Sequence, residues 1–137
     1  MTYQALVHRA TGILYFSYWP RQARTWQSVA DLNRELHQLV PRLVVPGKEG
    51  TVKSSAPEIQ ARVRLAGKGS DRPASGLIIA INTSPRFVEC QIECPNAPAD
   101  TRLPFENTAI QPDSPGKWQE RFSPYGVHVY VWGNEPR

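Results

Sequence analysis

The stretch Leu77-Ile78-Ile79-Ala80-Ile81 decides the fold class. Five consecutive apolar residues, bounded by turn-forming residues, are too short for a helix and read as a central strand. The sequence around the run repeats the strand signal with period two. Upstream, Ile59, Ala61, Val63 and Leu65 alternate with Gln60, Arg62 and Arg64. Downstream, Phe87 to Cys94 alternates, Trp118 to Phe122 is a weaker candidate, and Val127, Val129 and Val131 alternate with His128, Tyr130 and Trp132. Successive strand side chains point to opposite faces, so this alternation predicts one buried and one polar face, with His128 on the polar side. Gly, Pro, Asn and Asp separate the runs at 67–75, 82–85 and 112–116. Several short strands with turn punctuation predict an antiparallel β-sandwich over residues 47–137.

Residues 1–46 have a different character. Ile13-Leu14-Tyr15-Phe16-Ser17-Tyr18-Trp19 is continuously apolar and aromatic, a strand covered on both faces, and Pro20 ends it. Trp26, Val29, Leu32, Leu36, Leu39 and Leu43 then recur at spacings of three and four, one face of an amphipathic helix. Thr25 is the expected N-cap, Asp31 favours the positive end, and Pro41 is expected to stop the helix near residue 40. Tyr3 to Ala10 reads as the last turns of an earlier helix, with Gly12 as its exit. The fold class is therefore mainly β: an antiparallel β-sandwich preceded by one strand and one amphipathic helix. The apolar stripe of that helix is expected to pack on the sandwich, since exposing it leaves a large apolar patch. The strand at 13–19 has no partner in the pattern, and such an edge predicts pairing with another copy of the chain.

Composition narrows the function classes. The chain has 137 residues, 40% hydrophobic and 20% charged, which is globular rather than disordered. Thirteen Pro and nine Gly favour short strands and frequent turns. The net charge of +4 is spread along the chain, and its densest basic stretch is only Arg21 and Arg24. Without a basic stripe, nucleic acid is not an expected partner. No run approaches the roughly twenty apolar residues of a membrane span, and the N-terminus lacks an export-signal pattern. Taken as a complete chain it is expected to be cytoplasmic.

Cys90 and Cys94 fall on the apolar side of one strand. Four strand residues span about 13 Å, whereas a disulfide needs Cα atoms within about 7 Å, so both read as buried free thiols. His8, His37 and His128 show no ligand spacing to them, and no metal or other cofactor is expected. Gly67-Lys68-Gly69-Ser70 lacks the phosphate-loop spacing and reads as a hairpin loop. Asn82-Thr83-Ser84 matches a glycosylation sequon but reads better as a strand-ending turn.

Several segments carry a resemblance. Tyr3-Gln4-Ala5-Leu6-Val7-His8, Gly12-Ile13-Leu14-Tyr15-Phe16-Ser17-Tyr18 and the helix around Leu32-Asn33-Arg34-Glu35-Leu36 resemble the end of a glycoside hydrolase catalytic barrel. Leu77 to Ser84, Phe105-Glu106-Asn107 and Phe122-Ser123-Pro124-Tyr125-Gly126-Val127-His128-Val129-Tyr130 resemble the β-sandwich that follows such a barrel, the last being the most specific. The resemblance implies that residues 1–46 are the barrel's end and 47–137 its C-terminal sandwich. It also implies that this chain is no enzyme. Glycoside hydrolysis uses two carboxylates flanking the scissile bond. In such barrels they stand at strands four and seven, and only the eighth is represented here. Asp31 and Glu35 read as solvated helix-face charges, and Glu106 as a structural or surface residue of the sandwich. Tyr18 and Trp19, at the end of the eighth strand, are candidate sugar-stacking residues. The expected function is a non-catalytic accessory domain that stabilises a barrel, its partner being that barrel or another copy. The alternative is a carbohydrate-binding module stacking sugars on exposed aromatics such as Trp118 or Trp132.

Overall fold

The computed structural model describes residues 1–12, 22–44, 46–66, 75–106 and 108–133. The strand expected at 13–19, with Tyr18 and Trp19, lies outside the described residues, and with it the basis for pairing between copies. Within them, two helices, α1 (Thr2–Val7) and α2 (Ala23–Val44), precede the strands β1 (Gly47–Glu49), β2 (Lys53–Ser54), β3 (Ile59–Ala66), β4 (Ser75–Asn82), β5 (Val88–Glu93), β6 (Arg102–Leu103), β7 (Thr108–Ala109), β8 (Pro112–Ser114), β9 (Lys117–Phe122) and β10 (Val127–Gly133). The strands form two antiparallel sheets, one of six in the order β1-β3-β4-β10-β6-β7 and one of four in the order β2-β5-β9-β8. The chain is thus mainly β, with a β-sandwich-like architecture. No described helix is long and apolar enough to cross a membrane.

β4 is buried along its whole length, as its apolar run demands. Ile78 and Ala80 face the second sheet, while Leu77, Ile79 and Ile81 face the helices. β10 lies beside it and is built the same way: Tyr130 and Trp132 enter the core between the sheets, and Val129 and Val131 pack under the helices. The expected polar side of this strand is therefore corrected. His128, Tyr130 and Trp132 point inward, because here the six-stranded sheet is covered on both faces. Trp132 sits opposite Gly76 in the ladder. A Cβ at Gly76 would fall inside the indole, so only glycine leaves room for that ring.

The apolar stripe of α2 packs on the sheet as expected, through Leu32, Leu36, Leu39 and Leu43, with Tyr3, Leu6 and Val7 of α1 beside it. Full burial of each such side chain contributes roughly 1.5–3 kcal/mol. Three details differ from expectation. Thr25 lies inside the first turn, its N–H donating to the Gln22 carbonyl (3.0 Å), because the helix begins at Ala23. Pro41 does not end α2, which continues to Val44. The last turn is retained because Arg42 and Leu43 pack inward, while exposed His37 leaves its unbonded carbonyl to water. At the end of α1 the left-handed residue is Arg9 (φ 68°), not Gly12. Ala10 N–H donates to the Ala5 carbonyl (2.9 Å) and Arg9 N–H to Leu6 (3.0 Å), a Schellman closure in which Arg9 takes the glycine position. The Arg62 guanidinium, held by Glu49, donates to the Leu6 carbonyl (2.9 Å) and places positive charge at the helix's negative end.

Candidate functional site

Stacking on a sugar needs an exposed aromatic face, so the sheet surfaces come first. Trp118 and Trp132 are 1% and 4% exposed. Both belong to the core between the sheets, which corrects the expectation that they present a platform. The cause is register: Trp118 faces inward on β9 with Phe122, opposite Ile92 and Val88 of β5. The outer face of that sheet carries Glu89, Gln91 and Glu93 opposite Arg121, Gln119 and Lys117. Its cross-strand ion pairs are long, 3.7 Å for Glu89–Arg121 and 3.4 Å for Glu93–Lys117. Exposed Phe87, before β5, is covered by the Arg121 guanidinium 4.9 Å from its ring centre. The other outer face of the sandwich lies under α1 and α2.

A buried polar cluster sits where β9 and β10 approach. The Tyr130 hydroxyl donates to Glu120 (3.0 Å), and the Trp118 ring meets Tyr130 edge-on at 5.3 Å. Burial, reinforced by the Glu120 charge, pushes the Tyr130 hydroxyl far above the usual phenol range, so it stays a proton donor. The Trp118 N–H is buried without a well-aligned acceptor and lies close enough to that hydroxyl to oppose part of the rise. His128 has a carboxylate partner that sequence spacing does not reveal: its Nδ1 lies 2.8 Å from Glu106 Oε1, at ion-pair distance without hydrogen-bond alignment. The ring packs edge-on against Phe122 at 4.5 Å and parallel to Tyr130 at 6.2 Å. Glu106 and Glu120 are thus both committed to aromatic or imidazole partners. Glu35 is likewise more than a solvated charge, since it accepts a hydrogen bond from the Tyr3 hydroxyl (2.6 Å) and ties α1 to α2. Asp31 stays on the exposed helix face, paired with Arg34 (2.9 Å).

Cys90 and Cys94 are buried and free, as expected, and burial raises both thiols above their ordinary range. No group of three or more His, Cys, Asp or Glu among the described residues is placed to hold a metal ion.

At one end of the sandwich, two loops meet around Asn82. Asn82 is 2% exposed, and its carboxamide donates to the carbonyls of Arg86 (2.6 Å) and Ser123 (2.9 Å) while accepting from Ser84 N–H (2.9 Å). It is the strand-ending turn residue expected from the sequence. Ser123 lies in the crossover from β9, in one sheet, to β10, in the other, so Asn82 clips that crossover in place. Within the turn, Gly126 N–H donates to Ser123 O (2.8 Å) and Tyr125 N–H to Ser84 O (3.1 Å). Tyr125 is left-handed (φ 53°) and 66% exposed. A cleft of about 270 Å³ opens beside it, lined in part by Tyr3, Gln4, Leu32 and Thr83. No protein-family model and no curated protein sequence matches this chain.

Proposed function

We propose that this chain is a non-catalytic accessory β-sandwich of a glycoside hydrolase-like protein, whose role is to stabilise a catalytic barrel. The observation that carries the reading is the helical layer. α1 and α2 lie on the six-stranded sheet, yet α2 leaves apolar groups uncovered beside its packed stripe: Val40 and Val44 are exposed at a cleft shared with Leu6 and Ile79, and Trp26 is 53% exposed. The first seven described residues of this segment, 22–28, are all exposed and overhang the packed part of the stripe. A helical layer that leaves apolar groups uncovered beside its packed stripe suits contact with a further body. Two of the segments that resemble a barrel's end, Tyr3 to His8 and the helix around Leu32 to Leu36, contribute to this layer. The resemblance supplies the identity of the second body, and the catalytic carboxylates belong to it.

The test is the reading frame upstream of the Met1 codon. The expected result is an in-frame extension of about 250 codons, the size of a barrel, carrying two glutamates at strand ends. An adjacent stop codon, together with a purified chain that is stable, monomeric and free of dye-binding apolar surface, would overturn the proposal.

A further inference from the structure

We propose that the cleft between the end of α1, the last turns of α2 and β4 binds a free alkyl carboxylate, a fatty acid, a function that goes beyond the stabilising role above and does not depend on it. The cleft has a volume of about 450 Å³, within the roughly 300–1,000 Å³ of small-molecule sites. Leu77 and Ile79 of β4 form its floor, Leu6 of α1 lies on one side, and Val40, Leu43 and Val44 of α2 on the other. Val40 and Val44 are 42% and 69% exposed, so this apolar wall is open to a ligand. Trp26 lies about 21 Å from Val40 along α2, so the overhanging end of the helix can meet a further body without covering the cleft.

The lining sets the ligand's chemistry. Its apolar side chains are all aliphatic among the described residues, which suits a flexible alkyl chain and offers no ring face for stacking. Its charged groups are Arg9, Arg62 and Arg64, and no carboxylate lines it among the described residues. The Arg62 guanidinium is held beside the cleft by Glu49 and the Leu6 carbonyl. Glu49 is also within electrostatic reach of Arg9, but Arg62 offsets its charge. Arg9 is the exposed member of the three. It stands in the left-handed position (φ 68°) that closes α1, where glycine fits without strain, so a guanidinium is kept at the mouth of the cleft at a conformational cost. Guanidinium groups present paired N–H donors to a carboxylate. An anionic head on an aliphatic tail answers both the arginines and the apolar floor, whereas a cationic head on the same tail meets like charge.

The experiment is an amide chemical-shift titration of the whole chain with octanoate, decanoate and dodecanoate, each below its micelle concentration. Saturable shifts centred on Ala10, Val44 and Ile79 are expected, with affinity rising about three- to fourfold per added methylene. Dodecyltrimethylammonium, the same tail with a cationic head, should bind at least about tenfold more weakly than dodecanoate. Arg9→Gly removes the guanidinium and suits the left-handed backbone better than arginine, so it should keep the spectrum of a folded chain and weaken dodecanoate binding about tenfold. Val44→Gln, on the exposed wall, should weaken it less. The proposal is overturned if dodecanoate gives no saturable shifts up to about 1 mM, or if the shifts centre elsewhere. It is equally overturned if the cationic amphiphile binds as tightly, if folded Arg9→Gly binds as well as the parent chain, or if anionic phospholipid vesicles capture the chain while free dodecanoate does not bind.

Discussion

The two outer faces of the sandwich are built in opposite ways. Above the six-stranded sheet, Leu77, Ile79, Ile81, Val129 and Val131 lie under a layer of helix. Above the four-stranded sheet, Glu89, Gln91, Glu93, Lys117, Gln119 and Arg121 face water and answer one another across the strands. The inner faces of both sheets are mainly apolar, with Glu120 and His128 the polar insertions, so the contrast lies chiefly in the second side of each strand. β4 and β10 are apolar on both sides, whereas β5 and β9 alternate. Strand periodicity therefore reports more than the presence of a strand: it says whether a further layer lies above it. The helical segment is the layer that the first sheet requires.

The sharpest way to break the comparison is to exchange the character of the two faces. Val129→Asp puts a carboxylate on the apolar floor beneath the helices, beside Ile79 in the ladder. The expected cost is several kcal/mol, comparable with the roughly 5–15 kcal/mol that holds a domain of this size together. The cooperative thermal transition followed by circular dichroism should be lost or moved far down. Gln91→Asp, the same charge on the opposite face, should leave the transition within a few degrees of the parent. If both variants melt alike, the helical layer does not cover the sheet in solution.

A smaller effect separates the layer from the sheet. Leu39 is the most deeply buried residue of α2. Leu39→Ala should cost about 2–5 kcal/mol in urea unfolding, the range for a large apolar side chain removed from a packed core. Hydrogen exchange should quicken in α1 and α2 before it quickens in β4 and β10. Equal acceleration everywhere would mean that the helices and the sheet unfold as a single unit.

The same contrast explains what was legible in the sequence. The strongest strand signals, Ile59–Leu65, Leu77–Ile81, Phe87–Cys94 and Val127–Val131, all appear as strands, because long runs of either kind leave a pattern. Strands β1, β2, β6, β7 and β8 have two or three residues each and leave none. The inward orientation of His128, Tyr130 and Trp132 leaves no local signal, because their polar tips imitate an exposed side. What turns them inward is the helical layer on the opposite face, which no local window contains. Pro41 was an honest breaker locally, but the packing of Arg42 and Leu43 overrode it. The His128–Glu106 pair joins residues 22 positions apart through the turn between β6 and β7, and sequence spacing carries no signal for it. The exposed ring of Tyr125 was visible only as part of a motif. Its left-handed backbone and the cleft beside it come from Asn82, 43 residues away.

The smallest expected effect compares one ion pair from each side. Glu49 accepts from the Arg62 guanidinium, which also holds the end of α1, and that hydrogen bond pulls the Glu49 carboxyl below the usual carboxylate range. Glu89 and Arg121 stand 3.7 Å apart with both side chains mostly in water. Because the folded-state value for Glu49 is depressed, its contribution is complete above the unfolded carboxylate range and disappears as pH falls through the folded value. Glu49→Gln should therefore lower the melting temperature slightly at pH 7, and the difference from the parent should close below about pH 4. Glu89→Gln should change it little at any pH, as solvated pairs contribute about 0–1 kcal/mol. A pH-independent deficit for Glu49→Gln would assign its effect to packing rather than charge, and the arginine would then hold the helix end without the carboxylate's help.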